Sequence, residues 1–294
     1  MGAKRELGGR DSVRPRTQKE PTMTTSHTPP SPALLSEMLR VGTFNVRWPN
    51  PEDGEHQWDR RKGRLLDFLR AWGPDVLGLQ EPLRGPLAEI REALTDYDVA
   101  AVGREDGQEG GEFCPIFFRR DRFALLRTDT FWFSETPEVP GSRGWGSGHP
   151  RICTWVHLQE RGGGAAFFVC NLHWDNEKSE ARENSARILR ERIAGRPAPD
   201  PVIVLGDFNA EATDAAVAAL SAPDSPVPIS ALRAVTPEPP GTFHGFTGEA
   251  TGTPIDHILV SPEWRVEDAQ ILVGDGQRPF LSDHFPVSAT LRRL

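Results

Sequence analysis

Along LSDHFPVSATL (281–291), Val287, Ala289 and Leu291 alternate with polar neighbours, the pattern of a half-buried β-strand. The run opens on Ser282-Asp283-His284, three groups that are costly to bury without partners. Similar apolar runs recur along the chain. LRVGTFNVR (39–47), DVLGLQE (75–81) and PVIVLGDFN (201–209) read as strands, as do 97–103, 113–119, 123–133, 152–159, 165–172, 255–261 and 264–273. Between them, Trp58, Leu65, Leu66, Leu69 and Trp72 fall at helical spacing within 57–72, and Gly73-Pro74 stops that helix. A second helix is expected over 86–94. A third runs from about Glu177 to Ile193, with Ala181, Ile188, Leu189 and Ile193 inward and Asn176 as its N-cap.

Three Gly/Pro/Ser-rich loops, 104–111, 134–149 and 221–254, are long enough to be walls of a site rather than plain connectors. The glycines 162–164 sit between strands and read as a hairpin turn, not a phosphate-binding loop. This mixed βα pattern with many hairpins predicts an α/β (α+β) four-layer sandwich, two mixed β-sheets packed face to face and flanked by helices. Residues 1–36 are polar and rich in Pro, Ser and Thr, too poor in apolar groups to order themselves. The expected organisation is a disordered 1–36 segment followed by one domain over 37–294.

Charge narrows the partners. The chain carries −8, but residues 1–40 hold seven Lys/Arg against four Asp/Glu, so the remainder stands near −11. Such a body is a poor non-specific grip for duplex DNA, whereas a local phosphate site remains open to it. No run of about 18 apolar residues marks a membrane span. Cys114, Cys153 and Cys170 lie in apolar runs without CxxC spacing, and read as reduced core residues of a cytoplasmic protein.

The chemistry collects at strand ends. TFNVR carries Asn45, LGLQE ends in Glu81, CNLHWD carries Asn171 and His173, VLGDFN ends in Asp207 and Asn209, IDHILV begins with Asp256, and LSDHF holds Asp283 and His284. Taken singly, each has a plain structural reading: Asp207 and Asn209 as a turn, Glu81 as a solvated loop residue, His284 as a core histidine. Their recurrence favours a shared partner, and Asn, Glu and Asp oxygens suit a hard cation such as Mg²⁺ or Mn²⁺. No HExxH, Cys/His cluster, EF-hand or Gly-rich nucleotide loop competes with that reading. Arg143 and Arg151 are candidates for binding a second phosphate or for surface structure. Trp145, Trp174, Phe243 and Phe246 are candidates for stacking on a base or sugar, or for packing.

In order, TFNVR, GLQE, NLHWD, GDFN, IDHI and SDHFPV resemble the signature of the endonuclease/exonuclease/phosphatase (deoxyribonuclease-like) superfamily, over about residues 39–292. The stretch FWFSETPEVPGSRGW…PRICTW resembles a bacterial branch in which an acid follows the Gly-Trp pair, where this chain has Gly146. The resemblance implies a four-layer sandwich and a Mg²⁺-dependent phosphoesterase. Asn45, Glu81 and Asp283 would hold the metal. Asp207 would orient or deprotonate water, Asn209 would fix the water and a phosphate oxygen, and His284 would be paired to Asp256. His173 would touch the scissile phosphate with Asn171 nearby. An acid seven residues before an Arg, here Glu112 before Arg119, would pair with His173.

The expected function is phosphodiester hydrolysis, on RNA or single-stranded ends, by a monomer with no membrane partner. The alternatives are a phosphomonoesterase on a sugar, inositol or nucleotide phosphate, and an inactive binding module on the same fold.

Overall fold

The computed structural model describes residues 38–274, 276–278 and 280–294. The 1–36 segment lies outside the described residues. Among the described residues, twelve strands form two six-stranded sheets. The first contains β1 (Met38–Asn45), β2 (Val76–Gln80), β3 (Tyr97–Ala100), β4 (Ile116–Arg119), β11 (Trp264–Ile271) and β12 (Val287–Arg293), in the order β11-β12-β1-β2-β4-β3. The second contains β5 (Phe123–Trp132), β6 (Ile152–Glu160), β7 (Ala166–His173), β8 (Val202–Asp207), β9 (Ile229–Ser230) and β10 (Asp256–Val260), in the order β5-β6-β7-β8-β10-β9.

Both sheets follow one plan: a central parallel pair flanked by antiparallel strands. In the first sheet the pair is β1/β2, with Asn45 opposite Gln80; in the second it is β7/β8, with His173 opposite Asp207. The four parallel strands therefore end on the same side of each sheet. Polar residues at those ends are gathered wherever the sheets stack.

They stack through one large core. Val41, Val76, Ile116 and Phe118 of the first sheet meet Val156, Val169, Ile203, Leu205 and Ile258 of the second. At Gly78 the sheets come so close that a Cβ would run into the side chains of Leu205 and Asn171, so only glycine fits. The outer face of the first sheet is covered by α1 (Trp58–Trp72) and α2 (Arg84–Ala93) through Leu65, Leu69, Leu87 and Ile90. On the second sheet, α3 (Ser179–Ala194) and α4 (Ala215–Leu220) bury Ile188, Leu189, Val217 and Leu220. A last helix, α5 (Ala231–Val235), follows β9. The four-layer sandwich expected from the pattern is the architecture observed.

Local boundaries differ from the periodicity for identifiable reasons. The strand read over 281–291 begins only at Val287, because Pro286 cannot donate to a ladder and Phe285 N–H bonds Thr242 O instead. The run 97–103 pairs only to Ala100, and Gly103 returns as an isolated bridge to Phe113. Helix α3 starts at Ser179 and Asn176 does not cap it; Asp175 accepts from the N–H groups of Glu177 and Lys178 at 3.0 and 2.8 Å. Gly73 ends α1 in the left-handed region (φ 50°), its N–H bonded to Leu69 O. The glycines 162–164 lie in the turn joining β6 to β7, and all three cysteines are buried and free.

The sequence patterning gives no hint of Arg61. This α1 residue is 0% exposed and forms no ion pair with a carboxylate among the described residues. Its guanidinium donates to His56 O, Val46 O, Arg47 O and Leu281 O at 2.6–2.8 Å, tying the exit of β1 to the approach to β12. Burial lowers its pKa to about 10. Arg61→Leu should strand these buried carbonyls and cost about 3 kcal/mol. The check is urea unfolding, where a lower midpoint at unchanged m-value is expected.

Candidate active site

The ends of β1, β2, β7 and β8 open into a cleft of about 860 Å³. Each acidic group there is held by a specific donor. Glu81 follows β2 in the left-handed region (φ 71°), unfavourable for a residue with a Cβ. Its Oε1 accepts from Asn45 Nδ2 at 2.8 Å and its Oε2 from Trp48 N–H at 2.8 Å. Arg47 (φ 57°) and Asn209 (φ 48°) are also left-handed, so three of the five non-glycine residues with positive φ line this cleft. Strain of this kind persists only where surrounding contacts over-determine it.

Asp207 is 1% exposed at the end of β8. Its Oδ2 accepts from Asn45 Nδ2 at 2.9 Å, across the two sheets, and its Oδ1 accepts from Asn209 N–H at 2.8 Å. Two imidazoles approach the same Oδ2: His173 Nε2 at 3.6 Å and His284 Nε2 at 3.7 Å. Burial, and then Asp256, push the Asp207 carboxyl up to about 7.

The two histidines are set oppositely. His284 Nδ1 bonds Asp256 Oδ2 at 2.8 Å. Burial alone would lower His284, but Asp256 and Asp207 hold it well above its ordinary value. His173 is driven well below its ordinary value, first by burial and then by the Arg151 and Arg104 guanidiniums.

Ser282-Asp283-His284 is pinned from both sides. Ser282 Oγ donates to Asn45 O at 2.6 Å, and the Asp283 carbonyl accepts from His244 and Gly245 N–H at 2.8 and 3.1 Å. Phe243 forms a bridge with His284 and packs edge-on against its ring, centroids 5.0 Å apart. Asp283 lines the cleft, with Arg47 Nη1 3.6 Å from its Oδ2.

The sequence-predicted residues fall into three groups. Glu81, Glu112, Arg151, His173, Asp207, Asn209, Asp283 and His284 line the cleft. Asn45 and Asp256 lie just beneath and brace it. Asn45 acts as a donor to two carboxylates, while its Oδ1 accepts from Arg47 N–H at 2.9 Å. Asn171, expected to bind substrate, does not reach the cleft. It is 0% exposed, donates to Leu79 O and Pro115 O at 2.8 and 2.9 Å, and accepts from Gln80 Nε2 at 2.7 Å. It bolts the second sheet to the first.

Glu112 stands 3.7 Å from His173 Nδ1, but its hydrogen bond goes to Arg104 Nη1 at 2.6 Å. Burial, followed by Glu81, raises its pKa to about 7. Of the loop aromatics, Trp174 is core, Trp145 packs against the second-sheet core and Phe246 stacks on His56. Phe243, 44% exposed, is the one of these four in the cleft lining. Arg47 and Arg104 carry no signal of their own in the sequence, although Arg47 directly follows TFNV.

Among the described residues, two groups bring three potential ligand atoms within 4.8 Å of one another: Glu81–His173–Asp207 and Asp207–Asp256–His284. The second is already knit by the Asp256–His284 hydrogen bond. The first fits a hard divalent cation. Two carboxylates share an oxygen-rich corner, bridged by the neutral Asn45 Nδ2, which donates to both.

The sequence profile of the Endonuclease/Exonuclease/phosphatase family matches residues 42–284. A Bacteroides vulgatus endonuclease/exonuclease/phosphatase structure superposes with TM-score 0.81 at 31% identity, over 87% of this chain and 99% of that one. A mannosyl-6-phosphatase of Bacteroides thetaiotaomicron VPI-5482 superposes with TM-score 0.78 at 33% identity, over 86% of this chain and 99% of that one. The Ccr4 3'-5'-exoribonuclease subunit of the CCR4-Not complex of Emericella nidulans is 31% identical over 157 residues, 46% of this chain but 23% of that subunit's length.

Proton placement can be checked directly. The Asp256–His284 pair contributes stability that is present below about pH 6.5, the unfolded pKa of histidine, and is lost as pH rises through the higher folded value. In NMR titrations of the full chain, the His284 ring should remain protonated through neutral pH, and Asp256→Asn should move its midpoint down. A midpoint unmoved by that substitution would remove Asp256 as the cause.

Proposed function

Because the chain belongs to the Endonuclease/Exonuclease/phosphatase family, we propose that it is a divalent-cation-dependent phosphoesterase acting on a compact phosphate ester. One observation carries this reading: a buried carboxylate, Asp207, lies between two imidazoles of opposite proton preference. Glu81 and Asp207 would hold the cation, Mg²⁺ or Mn²⁺, with Asn45 bracing both and Asp283 lining the same cleft. The chemistry such an ion supplies when bound is neutralisation of charge on the phosphate and on the leaving oxygen.

The chain's own groups divide the remaining work. Asp207, held by Asn45 Nδ2 and Asn209 N–H, would orient the attacking water and accept its proton. His284, held cationic by Asp256, donates from Nε2 to a phosphate oxygen. His173 stays neutral beside Asp207 and contacts the same phosphate. Asn209, fixed by its Nδ2 bond to Trp174 O at 2.9 Å, positions water and phosphate.

The rim supports a small substrate. Glu105, Glu109 and Glu177 line the cleft and would repel the successive phosphates of a long strand. The similarity over nearly the whole length of a mannosyl-6-phosphatase supports a sugar phosphate as the compact ester. Phosphodiester cleavage of a short nucleotide chain is the second reading, favoured by the exposed Phe243 ring at the cleft, which offers a base a stacking face.

Asp207→Asn and His284→Ala should each lower kcat by about 10²–10⁴-fold with the circular dichroism spectrum unchanged. Chelation by EDTA should abolish turnover, and Mg²⁺ or Mn²⁺ should restore it. Hexose 6-phosphates, inositol phosphates, bis-p-nitrophenyl phosphate and oligo(A) separate the readings. Turnover of oligo(A) alone would sink the sugar-phosphate assignment, and wild-type rates in either variant would sink the mechanism.

A further inference from the structure

One wall of the cleft, beside Glu112 and His173, carries two arginines. Arg104 and Arg151 line it together with His149 and Asn176. Both arginines are more than nine-tenths buried, at 7% and 6% exposure. Buried guanidiniums normally satisfy most of their donors, as Arg61 does with four carbonyl contacts. These two do not. Arg104 spends Nη1 on Glu112, and its Nε has no partner. Arg151 spends Nη2 on Asn176 Oδ1, its Nε has no hydrogen bond, and Asp175 Oδ2 is 3.7 Å away.

Only one full carboxylate pair serves the two cations in the cleft itself. Glu112 takes the Arg104 hydrogen bond, and burial opposes its ionisation. The imbalance is felt nearby: His149 is lowered by burial and then by Arg104, Arg151 and Arg143. Two cations with unspent donors in a partly dry lobe are costly unless an anion completes them.

Resting on the phosphoesterase reading, we propose that Arg104 and Arg151 form a second anion subsite, so that the preferred ester carries a second phosphate or carboxylate besides the one that reacts. The reacting phosphate would sit by Asp207 and His284, and the second group by the two guanidiniums, with the polyol between them. A planar fork suits such a group better than a point charge would, since it offers two parallel N–H donors to two oxygens.

Arg104 also holds Glu112, and Arg151 also steadies the 175–176 turn, so a loss of rate alone would not discriminate. The ratio of two ligands does. Calorimetry in Mg²⁺ on the full chain carrying Asp207→Asn, which does not consume the ligands, would compare a hexose 6-phosphate with the matching hexose 1,6-bisphosphate. The bisphosphate should bind more than about tenfold tighter, as expected for an added charge-assisted contact. Adding Arg151→Gln, or Arg104→Gln if the former fails to fold, should reduce that preference to under about threefold.

Equal affinity for the two ligands would overturn the subsite. So would an Arg151→Gln loss shared equally by both ligands, which would give the pair to the reacting phosphate instead. The wild-type chain, assayed separately with Mg²⁺ and both esters, tests the underlying reaction. Absence of turnover there with the binding preference intact would reject the reaction and retain the subsite.

Discussion

The hydrogen bond from Asn45 Nδ2 to Asp207 Oδ2, 2.9 Å across the two sheets, is the contact on which the site depends. Asp207 is a carboxylate with 1% exposure, and a buried acid must be supplied with donors or lose its charge. Its own sheet supplies only Asn209 N–H and the His173 edge at longer range, while the His284 edge approaches from the segment leading into β12 of the other sheet. The other donor comes from the opposite sheet, so the acid is held only when β1 and β8 stand in this register. Gly78 and Asn171 enforce the same register a few residues deeper. There a missing Cβ lets the sheets close, and an amide bonds carbonyls of the facing sheet. Packing and chemistry are one constraint here: a slip that relieved Gly78 would also leave Asp207 without its cross-sheet donor.

Around that contact the protein balances four acids with groups of graded charge. Arg61 is fully buried, and its bonds are all to carbonyls, so its positive charge is left to act on Asp283, Asp53 and Glu81 through space. Arg47 grips Asp53 through two 3.0 Å bonds and reaches Asp283 with its remaining nitrogen. His284 answers Asp256. Such an arrangement stabilises the folded state little by itself, because desolvation offsets much of the attraction between buried charges. It does fix each side chain in one orientation, and the left-handed backbone at Arg47, Glu81 and Asn209 is the local strain of holding them there.

Much of this was legible in the sequence because the relevant signals are local. Strand ends rich in acids and amides named Glu81, Asp207, Asn209, Asp283 and His284, and the alternation of elements named the layers. Asn171 shows the limit of that logic. It occupies a strand end like the others, yet the residue two positions on, His173, is the one that emerges into the cleft, while Asn171 remains between the sheets. The position along a strand at which a sheet edge becomes solvent depends on how the layers overlap, and periodicity carries no information on that. Arg61 and Arg104 were hidden for a related reason. Their partners lie on backbone carbonyls or distant loops, and an arginine on an amphipathic helix ordinarily reads as a solvated one. The pairing of Glu112 illustrates both sides: its nearness to His173 was implied by the family resemblance, whereas its stronger bond to Arg104 depends on the 104–111 loop folding back beside it.

On the proposed reading, the same loop would govern what kind of substrate the cleft admits. It contributes Arg104 to the interior and Glu105 and Glu109 to the rim, and Glu109 is itself held by Arg84 at 2.8 Å. Arg104 and Arg151 lie deep, beside the acidic corner of Glu81, Asp207 and Asp283, where water is scarce and their pull on an anion is strongest; Glu105, Glu109 and Glu177 lie outside with Arg84, where they act over a longer range but are screened. A polyanionic strand would have to thread its phosphates past the rim acids, and each added nucleotide would meet further repulsion. A compact ester brings its charge to the deep arginines and the acidic corner and leaves uncharged hydroxyls at the rim, where glutamate oxygens accept hydrogen bonds. On the proposed reading, the placement of these charged groups, rather than the net charge of the chain, is what would set the preference of this cleft.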